Sequence, residues 1–217
     1  MNHQRVRASR LVLSAACATL AIPFLTGCAT APPEASIEPV LATAARQGNP
    51  MAELSLGEHI VARAQTAEER TAGVEWIRRA AQANLAIAQA RLGSMYLRGS
   101  AVPQNTPDAL KWLHRAAERG APAAQLDLGE LYAVGALVPA DKAQAYYWYA
   151  LAAKPVRSDV TIFNIHQVRW YAYQRAQALA PSLTSAEVAA VRRQVAAWHP
   201  MSSVPYSGSI PLTSMRR

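Results

Sequence analysis

Side chains able to do chemistry are few and scattered in this sequence. Five histidines, His3, His59, His114, His166 and His199, stand singly, and none has a second histidine or a cysteine at metal-ligand spacing. No His-Glu-x-x-His zinc pattern, glycine-rich phosphate loop or Gly-x-Ser-x-Gly elbow occurs. His114, between Leu113 and Arg115, and His166, two residues before Val168, read as structural. Glu58 and Glu130 are acids at matching places 72 residues apart, with Ser94 between them. A carboxylate pair that hydrolyses a glycoside must come within several ångströms, whereas a repeat holds equivalent residues apart. Tryptophan can stack on a sugar, but three of the five tryptophans fall at one regular spacing, which marks packing residues. The expectation is therefore no catalytic residue, no metal and no cofactor. One reactive group remains. Of the two cysteines, Cys17 lies in an apolar run and Cys28 follows it, so no thiol is left for a disulfide or a metal.

The surroundings of Cys28 say what its thiol is for. Residues 1–10 are polar and carry Arg5, Arg7 and Arg10, and Leu11 to Phe24 is largely apolar but short for a bilayer span. Leu25-Thr26-Gly27-Cys28 comes next. This run resembles the lipobox of bacterial lipoproteins, in which an aliphatic and two small residues precede an acylated cysteine. The resemblance implies signal-peptidase recognition at Leu25, Thr26 and Gly27, cleavage after Gly27 and a covalent lipid on Cys28. Three acyl chains give a stable anchor, since each buried CH₂ contributes about 0.8 kcal/mol. Ala29, where an Asp would retain such a protein in the inner membrane, implies the outer membrane facing the periplasm. Residues 28–38, with Pro32-Pro33, read as a flexible tether.

The remaining chain is periodic. Gly57, Gly93 and Gly129 are 36 residues apart, as are Leu56, Leu92 and Leu128, and Trp76, Trp112 and Trp148. Ala80-Ala81, Ala116-Ala117 and Ala152-Ala153 keep the register, and Gly99, Val102 and Pro103 recur as Gly135, Val138 and Pro139. A half copy precedes them, with Ala44-Ala45 and Gly48 aligned to Ala116-Ala117 and Gly120. Each period predicts two helices. In the second copy, helix A covers about Ala88 to Arg98, with Gln89, Leu92 and Tyr96 on one face and Gly99 in the left-handed closing position. Asn105 or Thr106 caps helix B, which runs with Ala109, Trp112, Leu113, Ala116 and Ala117 inward until Gly120. Trp112 is expected to cover the joint with the next hairpin. Helices this short are not stable alone, so the period implies a stack sharing one core.

The run Ala88-Gln89-x-x-Leu92-Gly93-x-x-Tyr96-x-x-Gly99, then Val102 and Ala109-Leu110-x-Trp112-Leu113-x-x-Ala116-Ala117, resembles the Sel-1-like repeat, a relative of the tetratricopeptide repeat. The third copy, Ala124 to Ala153, matches equally well. The first is degenerate, with Arg63 in place of the turn glycine and Gly73 where Ala109 and Ala145 stand. The resemblance implies an all-α, right-handed α-solenoid over 39–153 (half repeat 39–48, then about 50–84, 86–120 and 122–156), used for protein assembly. Beyond it the period fails. Val160 to Ala180 reads as a long helix, and Thr184-Ser-Ala-Glu187 is a capping box opening a last helix to about Trp198. Residues 157–198 are the expected C-terminal cap, and 199–217, rich in proline and serine, a flexible tail.

The resemblance places a partner groove on the inner helix surface: Leu54, Glu58 and Val61 in copy one, Ala90, Ser94, Leu97 and Arg98 in copy two, and Leu126, Glu130, Ala133 and Val134 in copy three. Mixed apolar and charged residues there suit a helix or extended peptide. The formal charge of +8 includes the three leading arginines, and the others are interspersed with acids as in Glu68-Glu69-Arg70, so a nucleic-acid partner is not expected. The resulting expectation is a lipid-anchored envelope scaffold that binds other proteins and reaches the membrane through its lipid. Two alternatives go with the resemblance. One is an enzyme on β-lactams or cell-wall fragments, whose relatives staple each hairpin with cysteines that this chain lacks after Cys28. The other is a host-interaction factor.

Overall fold

The computed structural model describes residues 37–155 and 165–201. Leu25, Thr26, Gly27 and Cys28, and the signal peptide expected at 1–27, lie outside them. Among these residues nine α-helices follow in order: α1 Ile37–Arg46, α2 Pro50–Arg63, α3 Ala67–Gln82, α4 Ala86–Arg98, α5 Thr106–Glu118, α6 Pro122–Val134, α7 Lys142–Ala153, α8 Ile165–Leu179 and α9 Ser185–Ala197. No strand occurs among the described residues. α2–α3, α4–α5 and α6–α7 are the three hairpins, and α1 packs on α2 as a lone second helix. The tether expected over 28–38 ends sooner, because Ile37 and Glu38 already belong to α1.

Each turn between hairpins is built from the same bonds. Gly48, Asn84 and Gly120, 36 residues apart, have φ of +80°, +64° and +80°, the left-handed conformation that closes a helix and favours glycine or asparagine. Their amides donate to the carbonyls of Ala45, Ala81 and Ala117. The next amides, of Asn49, Leu85 and Ala121, donate to Ala44, Ala80 and Ala116. Gln89 and Gln125, almost fully buried, add a side-chain bond, their Nε2 atoms donating to the carbonyls of Ala81 and Ala117 at 3.0 Å. Within hairpins, Gly99 (φ +66°) and Gly135 (φ +70°) end α4 and α6. In the first hairpin, where Arg63 holds that place, α2 ends in an extended Ala64 and α3 restarts through a Thr66–Glu69 capping box.

Close packing within the hairpins depends on the recurrent glycines. A Cβ on Gly57 would lie 2.6 Å from the Gly73 carbonyl oxygen and 2.7 Å from Ile77. On Gly93 it would lie 2.8 Å from Leu113, and on Gly129 2.6 Å from Tyr149. Each glycine thus receives the residue twenty positions later. The tryptophans correct the sequence reading. Trp76 packs on the cluster of Ala45, Ala52 and Leu56, Trp112 on that of Val74, Ile77 and Ala81, and Trp148 on that of Leu113, Ala117 and Ala121. Each ring covers the joint with the preceding hairpin, because this face of a hairpin's second helix turns toward the second helix of the hairpin before it.

The C-terminal helices pack mainly on α7. From α8, Ala176 and Leu179, and from α9, Val188 and Val191, close over Tyr146 and Tyr149. The described part of the long helix expected at Val160 to Ala180 begins at Ile165, and Ala180–Ser182 forms a 3-10 turn rather than more helix. The Thr184–Glu187 capping box opens α9. After α9 the chain is held: the Lys154 ammonium donates to the carbonyls of Val195 (2.9 Å) and Trp198 (3.0 Å). Pro200 lies against Gly120, and the Met201 amide donates to the Glu118 carbonyl at 2.9 Å. The flexible tail expected from His199 therefore does not include His199–Met201, whose backbone and proline ring find partners in the turn after α5.

Candidate partner-binding groove

A groove of about 380 Å³ runs between α4 and α6. Ile87 and Ala90 of α4, Ala121 at the start of α6 with Pro122, Ala123 and Leu126 within it, and Ile165 and Val168 of α8 supply its apolar surface. Helical spacing places Ile87, Ala90, Ser94 and Arg98 in one row on α4. Two ion pairs stand on its lip. Arg91 Nε meets Glu58 Oε1 at 3.1 Å, and Arg98 Nη2 meets Asp127 Oδ1 at 2.9 Å. Arg98 also donates to the hydroxyl of Ser94. Both arginines are open to solvent, at 49% and 61% exposure, whereas Asp127 is mostly covered. Burial raises the Asp127 carboxyl above its ordinary value, and Arg98 and Ser94 oppose that shift. The Arg91–Glu58 pair is open to solvent on both sides, so it contributes little stability and Arg91 can turn to a ligand carboxylate or carbonyl, whereas Arg98 is held by the covered Asp127 carboxylate.

Of the residues expected in a groove, Glu58, Ala90, Ser94, Arg98 and Leu126 line this one. The others do not. Leu54, only 4% exposed, is core, packed with Val74 and Ile77. Val61 packs against Gly73 of α3 within the first hairpin. Leu97 packs on the cluster around Leu113 and Trp148, and Ala133 on the one around Tyr149. Val134 is exposed at the end of α6, away from the groove. Glu130 is taken by the cap: Arg175 of α8 grips it with Nε at 2.9 Å and Nη2 at 2.6 Å. That fork lies beside Tyr149, whose hydroxyl is pushed up to about 12 by burial first and by the Glu130 carboxylate second. Sequence reasoning missed Ile87, Arg91, Asp127, Ile165 and Val168, and the stretch Ala121 to Ala123. The i, i+3 and i+4 neighbours of Ala90 and Ser94 would have found Ile87 and Arg91, but the α8 residues carry no such signal.

His114 stacks edge-on with Trp148 at 5.4 Å between centroids, and burial lowers its pKa, keeping it neutral near pH 7. Among the described residues, no three His, Cys, Asp or Glu side chains converge as a metal site, and no helix is long and apolar enough to cross a membrane.

The Sel1 repeat matches this chain over residues 69–85, 86–120 and 122–154. A crystal structure of a Sel1 repeat protein from Oxalobacter formigenes is 31% identical, with a TM-score of 0.51, over 64% of this chain and 95% of that one. The chain belongs to the Sel1 repeat family. Its Sel1 array is also similar to c5321, a protective antigen present in uropathogenic Escherichia coli strains displaying an SLR fold, at 27% identity and a TM-score of 0.60. That likeness covers 74% of this chain, which spans about a third (32%) of c5321. No curated protein matches the chain. Sel1 repeats in general mediate protein–protein interactions.

Proposed function

We propose that this Sel1 protein is a lipid-anchored scaffold at the periplasmic face of a bacterial outer membrane, and that it holds a partner protein in the α4–α6 groove. The observation that carries the partner claim is the groove itself. An apolar floor of Ile87, Ala90 and Leu126 is bordered by two ion pairs whose arginines are open to solvent, the make-up that takes a helix or extended peptide with a few apolar anchors. The anchor rests on the lipobox-like Leu25-Thr26-Gly27-Cys28. A second reading, a surface protein facing a host, draws support from the likeness to the antigen c5321.

The test is crosslinking and affinity recovery from envelope fractions with the wild type, Cys28→Ala and Ala123→Arg. Ala123 is exposed in the groove, so its substitution blocks the site without touching the core. The scaffold reading expects one defined complex, lost with either variant. Equal recovery with Ala123→Arg removes the groove from the account. Labelling of the protein by antibody on intact cells favours the host-facing reading.

A further inference from the structure

The groove uses one side of α8 only. Its inner side is complete: Ala172 and Ala176 are buried, Leu179 joins the cluster around Tyr149, and Arg175 holds Glu130. The outer side carries His166, Trp170, Tyr173 and Gln177, spaced four, three and four residues, which is one straight stripe about 16 Å long on a helix. Trp170 is 62% and Tyr173 51% exposed, and Gln174 stands beside them in solvent.

We propose that this stripe binds an uncharged glycan chain, with pyranose rings stacked on Trp170 and Tyr173. Among the described residues, the face contains aromatic rings, amides and an imidazole, but no carboxylate, ammonium or guanidinium group. That is specific to the face and not to its surroundings, since Lys154 to Arg217 carries eight Lys or Arg against Asp159 and Glu187. On α8 itself, Arg169 is only partly exposed and Arg175 is paired. A charged ligand would give up its hydration here with no counter-ion to meet it, whereas an uncharged one loses nothing by the lack. An anionic lipid surface calls for Lys or Arg beside the Trp and Tyr. The core of a protein interface packs aromatic with aliphatic side chains, and no aliphatic residue larger than alanine lies on the stripe. A pyranose ring presents an apolar C–H face that fits a flat aromatic ring, with hydroxyls at its edge. The side chains of Gln174, Gln177 and His166 supply both donors and acceptors for those hydroxyls. The stripe is as long as a short oligosaccharide, so successive rings meet successive side chains.

This inference does not depend on the groove. Full-length protein in detergent micelles is titrated calorimetrically with two uncharged hexasaccharides, chitohexaose and cellohexaose, with tryptophan emission as a second readout. Binding of at least one is expected, weakened on the order of tenfold by Trp170→Ala or Tyr173→Ala as a stacked ring is lost. Trp170→Phe is expected to retain most of the affinity, and the groove variant Arg98→Glu all of it. Both aromatic positions are exposed, so thermal melts of the variants are expected to match the wild type. The proposal is overturned if neither sugar binds, or if binding survives in the Trp170→Ala, Tyr173→Ala double variant. It is equally overturned if these variants leave sugar binding intact and abolish self-association or binding to anionic phosphatidylglycerol vesicles.

Discussion

At position 53 a glutamate stands where the two later repeats have Gln89 and Gln125. Both glutamines donate to the carbonyl of an alanine eight residues earlier, and the matching acceptor for Glu53 is the carbonyl of Ala45, which closes the same turn. An ionised carboxylate cannot donate. Glu53 is instead held by Arg79 at 3.1 Å, and burial, the larger effect, raises its carboxyl above the ordinary value against the pull of that arginine. A carboxyl raised in the folded state stabilises fully below its unfolded value, and that contribution is lost as pH climbs through the folded one. Glu53→Gln is therefore expected to stabilise the fold by about 1 kcal/mol at neutral pH, the worth of one regained hydrogen bond. The gain should shrink towards about pH 4, where the wild-type carboxyl is protonated. Urea unfolding at the two pH values checks this, and a variant less stable than wild type at neutral pH would refute it. The 36-residue register pointed to Ala52, Ala88 and Ala124, but not to the change of chemistry one residue later. A surface-typical glutamate gives no sign in sequence that it is buried.

The hairpins are as tight as their glycines allow. Gly57 faces a backbone oxygen of Gly73, which cannot move without shifting α3, whereas Gly93 faces mainly the flexible end of Leu113. Alanine at either place is expected to destabilise, by about 1–3 kcal/mol for an overpacked site, and Gly57→Ala more than Gly93→Ala. Chemical denaturation of the two variants tests the order, and the reverse order would count against the packing described. The helices, their hairpin pairing and most caps were legible because those signals are local: Gly99 ends α4, Asn105 caps α5, and Thr184 with Glu187 opens α9. The groove was legible only in its middle. Glu58, Ala90, Ser94, Arg98 and Leu126 follow from repeat register, but Arg175 seizes Glu130 from 45 residues away. Leu54 differs from a groove residue only in what packs over it.

Across the molecule, the cap ties the end of the array back to its middle. Lys154 bonds to the end of α9, Trp198 packs with the cluster around Leu113 and Trp148, and Met201 bonds to Glu118. Trp198→Ala is expected to cost about 2–3 kcal/mol, at or below the usual range for a tryptophan because the ring is only partly buried. It should also speed proteolysis within α9 more than within α4. Equal protease sensitivity of the two helices would show that the tie carries no stability. The matched turns at Gly48, Asn84 and Gly120 have a consequence of another kind. Because successive joints use the same hydrogen bonds at the same register, a duplicated 36-residue unit inserted between α5 and α6 meets a compatible neighbour on either side. The terminal joint, made by α8 and α9 with side chains that belong to no repeat, has no such duplicate. An array built on these joints can therefore lengthen by duplication of an interior unit, but not at the joint with α8 and α9.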